Sequence, residues 1–227
     1  MKAVLFRAHG GPDTLSYEDL PVPTIGPEEV LVRVKACALN HLDIWIRQGN
    51  PAYPMPLPHV SGSDVAGIVE QVGAQVDSVT VGQRVFVSPG LSCWKCEQCL
   101  AGRDNLCRSY GLVGAMTHGG YAEYVKVPFR NALPIPENLS FEQAAAFPLV
   151  SVTASHMLFA LGGLQYGETV LIMGAGSGVG SMAVQMAKLA GARVMTTVGS
   201  DDKIPKAVTL GADAVFNHAK ENVAERV

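Results

Sequence analysis

Residues 169–191 read TVLIMGAGSGVGSMAVQMAKLAG, and this stretch decides the architecture. Thr169 to Met173 is a short apolar run, the pattern of a strand buried on both faces. Gly174, Gly176, Gly178 and Gly180 follow it. The spacing then predicts a helix over Val179–Ala190, with Val179, Ala183, Met186 and Ala190 on one side and Gly191 as its C′ residue. Arg193 to Val198 is a second strand. Ser200 is placed to cap a helix through Leu210, with Pro205 tolerated in its first turn. Gly211 ends that helix and Ala214 to Phe216 forms a third strand. Strand, helix, strand, helix, strand at this spacing is a βαβαβ unit.

Glycines between a buried strand and a helix let phosphate oxygens approach peptide N–H groups. The helix beyond adds free donors and a positive dipole end. A pyrophosphate is the natural ligand, and Gly174, Gly176, Ser177, Gly178, Val179 and Gly180 are the residues expected to hold it. The strict G-x-G-x-x-G spacing fails, because Val179 stands where the last glycine belongs. The alternative is a turn that binds nothing. In NAD-binding folds an acidic residue about 20 positions on holds the ribose 2′-OH. Here the second strand ends Thr197-Val198-Gly199-Ser200, with nothing acidic at its tip. Asp201 and Asp202 come later and suit a helix N-terminus, whereas Ser200 and Lys203 suit a 2′-phosphate. The expectation is NADP(H) over NAD(H), against an ordinary solvated Lys203.

The first 135 or so residues have a different period. Val30, Val32, Val34 and Ala36 alternate with Arg33 and Lys35, a half-buried strand. Asp64–Val72, Arg84–Ser88 and Gly119–Val127 are further strands, which together predict a β-rich, barrel-like domain. In 133–147, LPIPENLSFEQAAAF, Ser140 and Gln143 have capping-box spacing ahead of an alanine run. Pro148 is expected to end that turn, and a second helix to run from Val152 to Leu161. The chain has 227 residues, 48% hydrophobic and 16% charged, with a net charge of −3. That excludes a disordered chain and gives no electrostatic case for nucleic acid or an anionic membrane. No apolar run reaches the roughly 20 residues of a membrane span, and MKAVLFRAHGG lacks a signal-peptide core. The default compartment is therefore cytoplasmic, where thiols stay reduced.

Four of the five cysteines, Cys93, Cys96, Cys99 and Cys107, crowd one short lobe. Four thiolates make a closed tetrahedral Zn²⁺ site with no open position, so this metal would staple the lobe and do no chemistry. An iron–sulfur run is the weaker alternative, because the last gap is seven and Arg108 follows. A disulfide pair is the other alternative. Cys37, in an apolar strand, reads as a small buried hydrophobe.

GPEEVLVRVKACALNHLD (26–43), GSDVAGIVEQVG (62–73), the cysteine lobe, AAAFPLVSVTA (144–154) and VLIMGAGSGVGSMAVQMAKLAGARV (170–194) together resemble one family along essentially the whole chain. It is the medium-chain dehydrogenase/reductase superfamily, with its zinc-type alcohol dehydrogenases and quinone oxidoreductases. The resemblance implies a mixed α/β plus β fold. A GroES-like β-barrel domain would span 1–135, with the zinc lobe at about 90–110, and the first half of a Rossmann dinucleotide-binding domain would span 136–227. The family places its active site in a cleft between the two.

Two departures stand out. The alcohol dehydrogenases hold a catalytic zinc with a Cys-His dipeptide, a Gly-His-Glu and a later cysteine. Here the matching positions are Asn40-His41, Gly62-Ser63-Asp64 and 149–153, with no ligand set. The expectation is structural zinc without catalytic zinc, against a makeshift site of Asp64, His41 and His59. The second departure is length. Family members run further, so the chain resembles a fragment whose first Rossmann strand is left as an unpaired edge and whose competence as an enzyme is in doubt.

By resemblance, Asn40 and Ser63 would line the substrate cleft and Asp43 would orient a loop or polar neighbour. His41 and Thr153 would lie near the pyrophosphate and nicotinamide. An interior histidine and a capping aspartate are the blander readings of His41 and Asp43. Without a Lewis acid to stabilise an alkoxide, a quinone or activated carbonyl is a better substrate than a plain alcohol. The expected activity is NADPH-dependent reduction of such a small molecule. The alternatives are alcohol dehydrogenation with a non-standard metal site, a non-catalytic NADP-binding fragment, and a zinc-stabilised interaction module. A homodimer or homotetramer is expected only of a full-length form.

Overall fold

The computed structural model describes residues 1–49 and 55–227. Two compact units divide the chain, Met1–Leu149 and Val150–Val227. The sequence placed this boundary at 135/136. The helix of 141–145 lies in the first unit because its Ala144 and Ala145 are buried there with Ile135 and Ala66.

The first unit opens with a hairpin that the sequence reading missed, β1 (Lys2–Phe6) against β2 (Leu15–Asp19). Then come β3 (Glu29–Ala38), α1 (His41–Gln48), β4 (Asp64–Val72), β5 (Arg84–Val87), β6 (Gly90–Leu91), α2 (Glu97–Leu100), β7 (Gly111–Leu112), β8 (Tyr124–Pro128), β9 (Ala132–Pro134) and α3 (Phe141–Ala145). An antiparallel five-stranded sheet has the order β8-β3-β4-β5-β9. The expected alternation is visible in β3, where Val30 and Val32 are fully buried and Lys35 is exposed. Leu31 is buried as well, so the start of this central strand is covered on both faces. Register shifts at Leu31/Val32 and Val34/Ala36 bend β3 where it passes β4. Valines 65, 69, 85, 87, 125 and 127 complete the core.

Pro148 begins a helix rather than ending one. Helix α4 (Pro148–Ser155) continues as a wider π-turn over His156–Leu161 and stops at Gly162. Proline is tolerated in a first turn because the N–H it lacks has no partner there.

In the second unit β10 (Thr169–Ile172), α5 (Gly178–Leu189), β11 (Arg193–Val198), α6 (Ile204–Thr209) and β12 (Ala214–Asn217) form the expected βαβαβ. The three strands are parallel, in the order β10-β11-β12. Ile172, Val184, Val194, Val198 and Ala207 are the centre of its core. Strand β10 pairs on one side only among the described residues, as expected. Ser200 does not cap α6 with its side chain. A 3₁₀ turn over Asp201–Lys203 intervenes, and Pro205 lies in the helix's first turn. No helix among the described residues is long and apolar enough to cross a membrane.

Candidate functional site

The glycine-rich turn sits between β10 and α5. Gly174 has φ +76°, a left-handed conformation that favours glycine. Its N–H donates to Thr197 Oγ1 at 2.9 Å, tying the turn to the end of β11. Ser177 is the N-cap of α5, accepting from Gly180 N at 2.9 Å and donating to Gly174 O at 3.0 Å. A Cβ at Gly180 would stand 2.1 Å from Gly174 O, so the chain can pass there only as glycine. Gly176, Ser177 and Gly178 are exposed. The amides of Gly178 and Val179 open the helix, where N–H groups have no intrahelical acceptor.

Lys203 comes close to this turn, with its Cδ 3.3 Å from where a Gly176 Cβ would be. No carboxylate among the described residues pairs with it. Asp201 is otherwise engaged. It accepts from Lys220 Nζ and from Asn217 Nδ2, and these contacts hold its carboxyl below the usual range. Asp202 is likewise held low, first by the Ser200 hydroxyl.

The lobe brings the sulfurs of Cys93, Cys96, Cys99 and Cys107 within 4.8 Å of one another. The Cys96–Cys99 and Cys93–Cys99 separations are 3.5 and 3.9 Å. A tetrahedron of Zn–S bonds has sulfurs about 3.8 Å apart, so the donor set and spacing fit zinc. All four cysteines are free of disulfides. Backbone N–H groups of Lys95 and Cys96 pull the Cys93 thiol down to about 6, towards the thiolate that a metal takes. Asn131 ties down the foot of the lobe, its Nδ2 donating to Ser88 O at 2.7 Å and Gly90 O at 2.6 Å.

The third constellation lies at the start of α1. Asn40, its N-cap residue, donates from Nδ2 to Asp64 Oδ2 at 2.8 Å. Asp64 Oδ1 accepts from Leu149 N at 2.7 Å. Asp64 is 1% exposed, and burial pushes its carboxyl up to about 6 against the pull of those two donors. Asp43 Oδ2 accepts both from Asn40 N at 2.7 Å and from Tyr121 OH at 2.6 Å. Burial and the Asp43 carboxylate raise the Tyr121 phenol well above its ordinary value. Asn40, Asp43 and Tyr121 line a cavity of about 910 Å³ that also includes His41, Arg47 and Ser61.

Ser63 does not line that wall. It is fully buried, and its hydroxyl has no partner among the described residues. Gly62, at φ +102°, separates the two serines, and Ser61 is the one in the cavity lining, although its hydroxyl too is buried without a partner among the described residues. His41 is not an interior histidine. It is exposed on α1, edge-on to Trp45 at 4.9 Å. The makeshift metal site of Asp64, His41 and His59 is not formed, since the cysteine lobe is the sole metal-competent cluster among the described residues. His59 is instead buried, with Nε2 3.0 Å from Gly114 O and its ring beside His118. Thr153 is exposed on α4, in the other unit. Tyr121 and Ser61 were missed by the sequence reading. GGYAEYV reads only as a strand, and nothing local tells that its tyrosine meets Asp43.

Two family models match the chain, "Alcohol dehydrogenase GroES-like domain" over residues 26–137 and "Zinc-binding dehydrogenase" over 178–227. An alcohol dehydrogenase of Geobacillus stearothermophilus is 37% identical over 227 residues, covering 99% of this chain and 66% of the relative. A quinone oxidoreductase of Mus musculus is 34% identical over 228 residues, covering 100% and 61%. Among solved structures, one described as an NAD-dependent alcohol dehydrogenase superposes with a TM-score of 0.96 at 52% identity, covering 100% of this chain and 66% of that one. The chain thus spans just under two thirds of the length of these relatives.

Proposed function

The chain belongs to the medium-chain dehydrogenase/reductase superfamily of zinc-type alcohol dehydrogenases and quinone oxidoreductases, and we propose on that premise that it serves an NADP(H)-dependent reduction of quinones or activated carbonyls. The observation that carries this reading is the Asn40–Asp64 pair. At the positions where the zinc alcohol dehydrogenases keep metal ligands, this chain has an amide hydrogen-bonded to a buried carboxyl and a buried serine. Those donors suit a carbonyl oxygen better than a Zn²⁺ ion.

The bound nicotinamide would supply the hydride. The residues of the chain bind, orient and polarise. The amides of Gly178 and Val179 and the dipole of α5 would take the pyrophosphate. Lys203 and Ser200 would take a 2′-phosphate. Asn40 gives one N–H to Asp64 and keeps the other for the substrate oxygen. Tyr121 and Asp43 hold the start of α1, and with it Asn40, in place. His41 and Thr153 are proposed as cofactor contacts. Conjugation in a quinone or enone spreads the developing charge, so a hydrogen-bond donor and proximity suffice. The four lobe cysteines are proposed to hold one structural Zn²⁺.

A second reading keeps the fold and changes the coenzyme. The solved structure 52% identical to the chain is of an NAD-dependent alcohol dehydrogenase, which favours NAD(H). Titrating the protein with both coenzymes separates the two, since NADP(H) should bind at least tenfold tighter and Lys203→Ala should abolish the difference. Coenzyme oxidation is then followed with a quinone or enone, against ethanol with NAD. Alcohol turnover that a chelator abolishes sinks the proposal of a reductase without catalytic metal.

A further inference from the structure

Arg47 is a cation nine-tenths buried without a carboxylate partner. It is 9% exposed, near the C-terminal end of α1, and lines the 910 Å³ cavity of the first unit. Of the five N–H donors of a guanidinium, one is given to Gly10 O. No acid among the described residues lies within ion-pair distance. The two acids on the same wall form no ion pair with Arg47, and each has one oxygen engaged elsewhere, while Asp43 Oδ1 is buried without a partner among the described residues. Asp43, one helical turn earlier, holds Tyr121 OH and Asn40 N–H on Oδ2, and Glu123 accepts from Lys2 N at 2.8 Å.

A buried charge is normally paired. The missing partner here is an anion, and the cavity is where it would come from. A guanidinium fork matches a carboxylate with two parallel hydrogen bonds. Lys2 on the same wall is already paired with Asp19, so one unpaired cation calls for one negative charge, and a dianion would be repelled by Asp43 and Glu123. Large aliphatic side chains share the lining with polar ones. Leu15, Leu39 and Ile44 border the cavity and are 43%, 84% and 39% exposed, an unusual display of large aliphatic side chains around one opening.

We propose that this cavity binds an amphipathic carboxylate, its head on the Arg47 guanidinium and its apolar body along Leu15, Leu39 and Ile44. Asn40 lies seven residues earlier, which at 1.5 Å per helical residue is roughly 10 Å along α1. The substrate of the proposed reduction is then a carbonyl or enone compound with a carboxylate about that far from the reacting carbon. That extension rests on the reading of Asn40 as the substrate's donor. The binding itself does not.

The test is calorimetric titration of the protein with octanoate and with octan-1-ol, which share a chain length and differ in charge. Octanoate should bind at least tenfold tighter, with an advantage that shrinks as salt is raised. Arg47→Gln should abolish the difference. Should that variant fail to fold, Ile44→Glu, which adds a negative charge at the rim and leaves Arg47 intact, should weaken octanoate tenfold and octanol far less. Equal affinities, no binding of either ligand, a preference that survives Arg47→Gln, or indifference of octanoate to Ile44→Glu each overturns the proposal. None of these experiments contains coenzyme or turnover, so their failure leaves the reductase reading standing.

Discussion

At the scale of single residues, Asp64 carries the clearest pH signature. Burial raises its carboxyl to about 6, above the unfolded value of about 3.9. The folded chain therefore binds the proton more tightly than the unfolded one. Stability from this group is complete below about pH 4 and is lost as pH rises through about 6, a change of about 2–3 kcal/mol. Asp64→Asn should flatten that decline, and urea midpoints of wild type and variant at pH 4.5 and 7.5 measure it. A variant curve parallel to wild type would refute the assignment. Tyr121→Phe removes the hydrogen bond to Asp43 Oδ2. The expected loss is about 1–2 kcal/mol, and the proposed reductase activity should fall through a looser Asn40. Sequence reading named Asn40 and Asp43 through the family resemblance, and Asp64 only as a ligand of the makeshift metal site. It named Ser63 and was silent on Ser61, since nothing local reveals a left-handed glycine between them.

At the scale of elements, the turn before α5 explains why its glycines miss the strict spacing. Ser177 fills the additional position and caps the helix, which shifts the tightly packed glycine to Gly180. Gly180→Ala would force a methyl group against Gly174 O, at a cost of about 1–3 kcal/mol. Coenzyme affinity should drop at least tenfold, as a fluorescence titration would show. Ser177→Ala should lose only the cap, about 1 kcal/mol. Periodicity located β3, β4, β5 and every regular element from β10 to β12 to within a few residues. It missed the β1–β2 hairpin, whose turn lacks a two-residue hairpin signal, and misread Pro148, which can stop one helix or start another.

At the scale of the whole molecule, the cysteine lobe is a loop with little core of its own. Only Cys107 of the four proposed ligands is fully buried. Removing the proposed zinc should lower the melting temperature by on the order of 5–10 °C, and elemental analysis should find one zinc per chain. Two zincs per chain would contradict the assignment. The parallel sheet, the glycine-rich turn and the clustering of four cysteines in one lobe were legible in the order of residues, because periodicity, capping and cysteine spacing are short-range features of the chain. The Asn40–Asp64 and Tyr121–Asp43 pairs, the lone Arg47 and the approach of Lys203 to Gly176 were not. Their partners stand tens of residues apart, and only the packing of strands and helices brings such side chains within hydrogen-bonding distance and shuts water out around them.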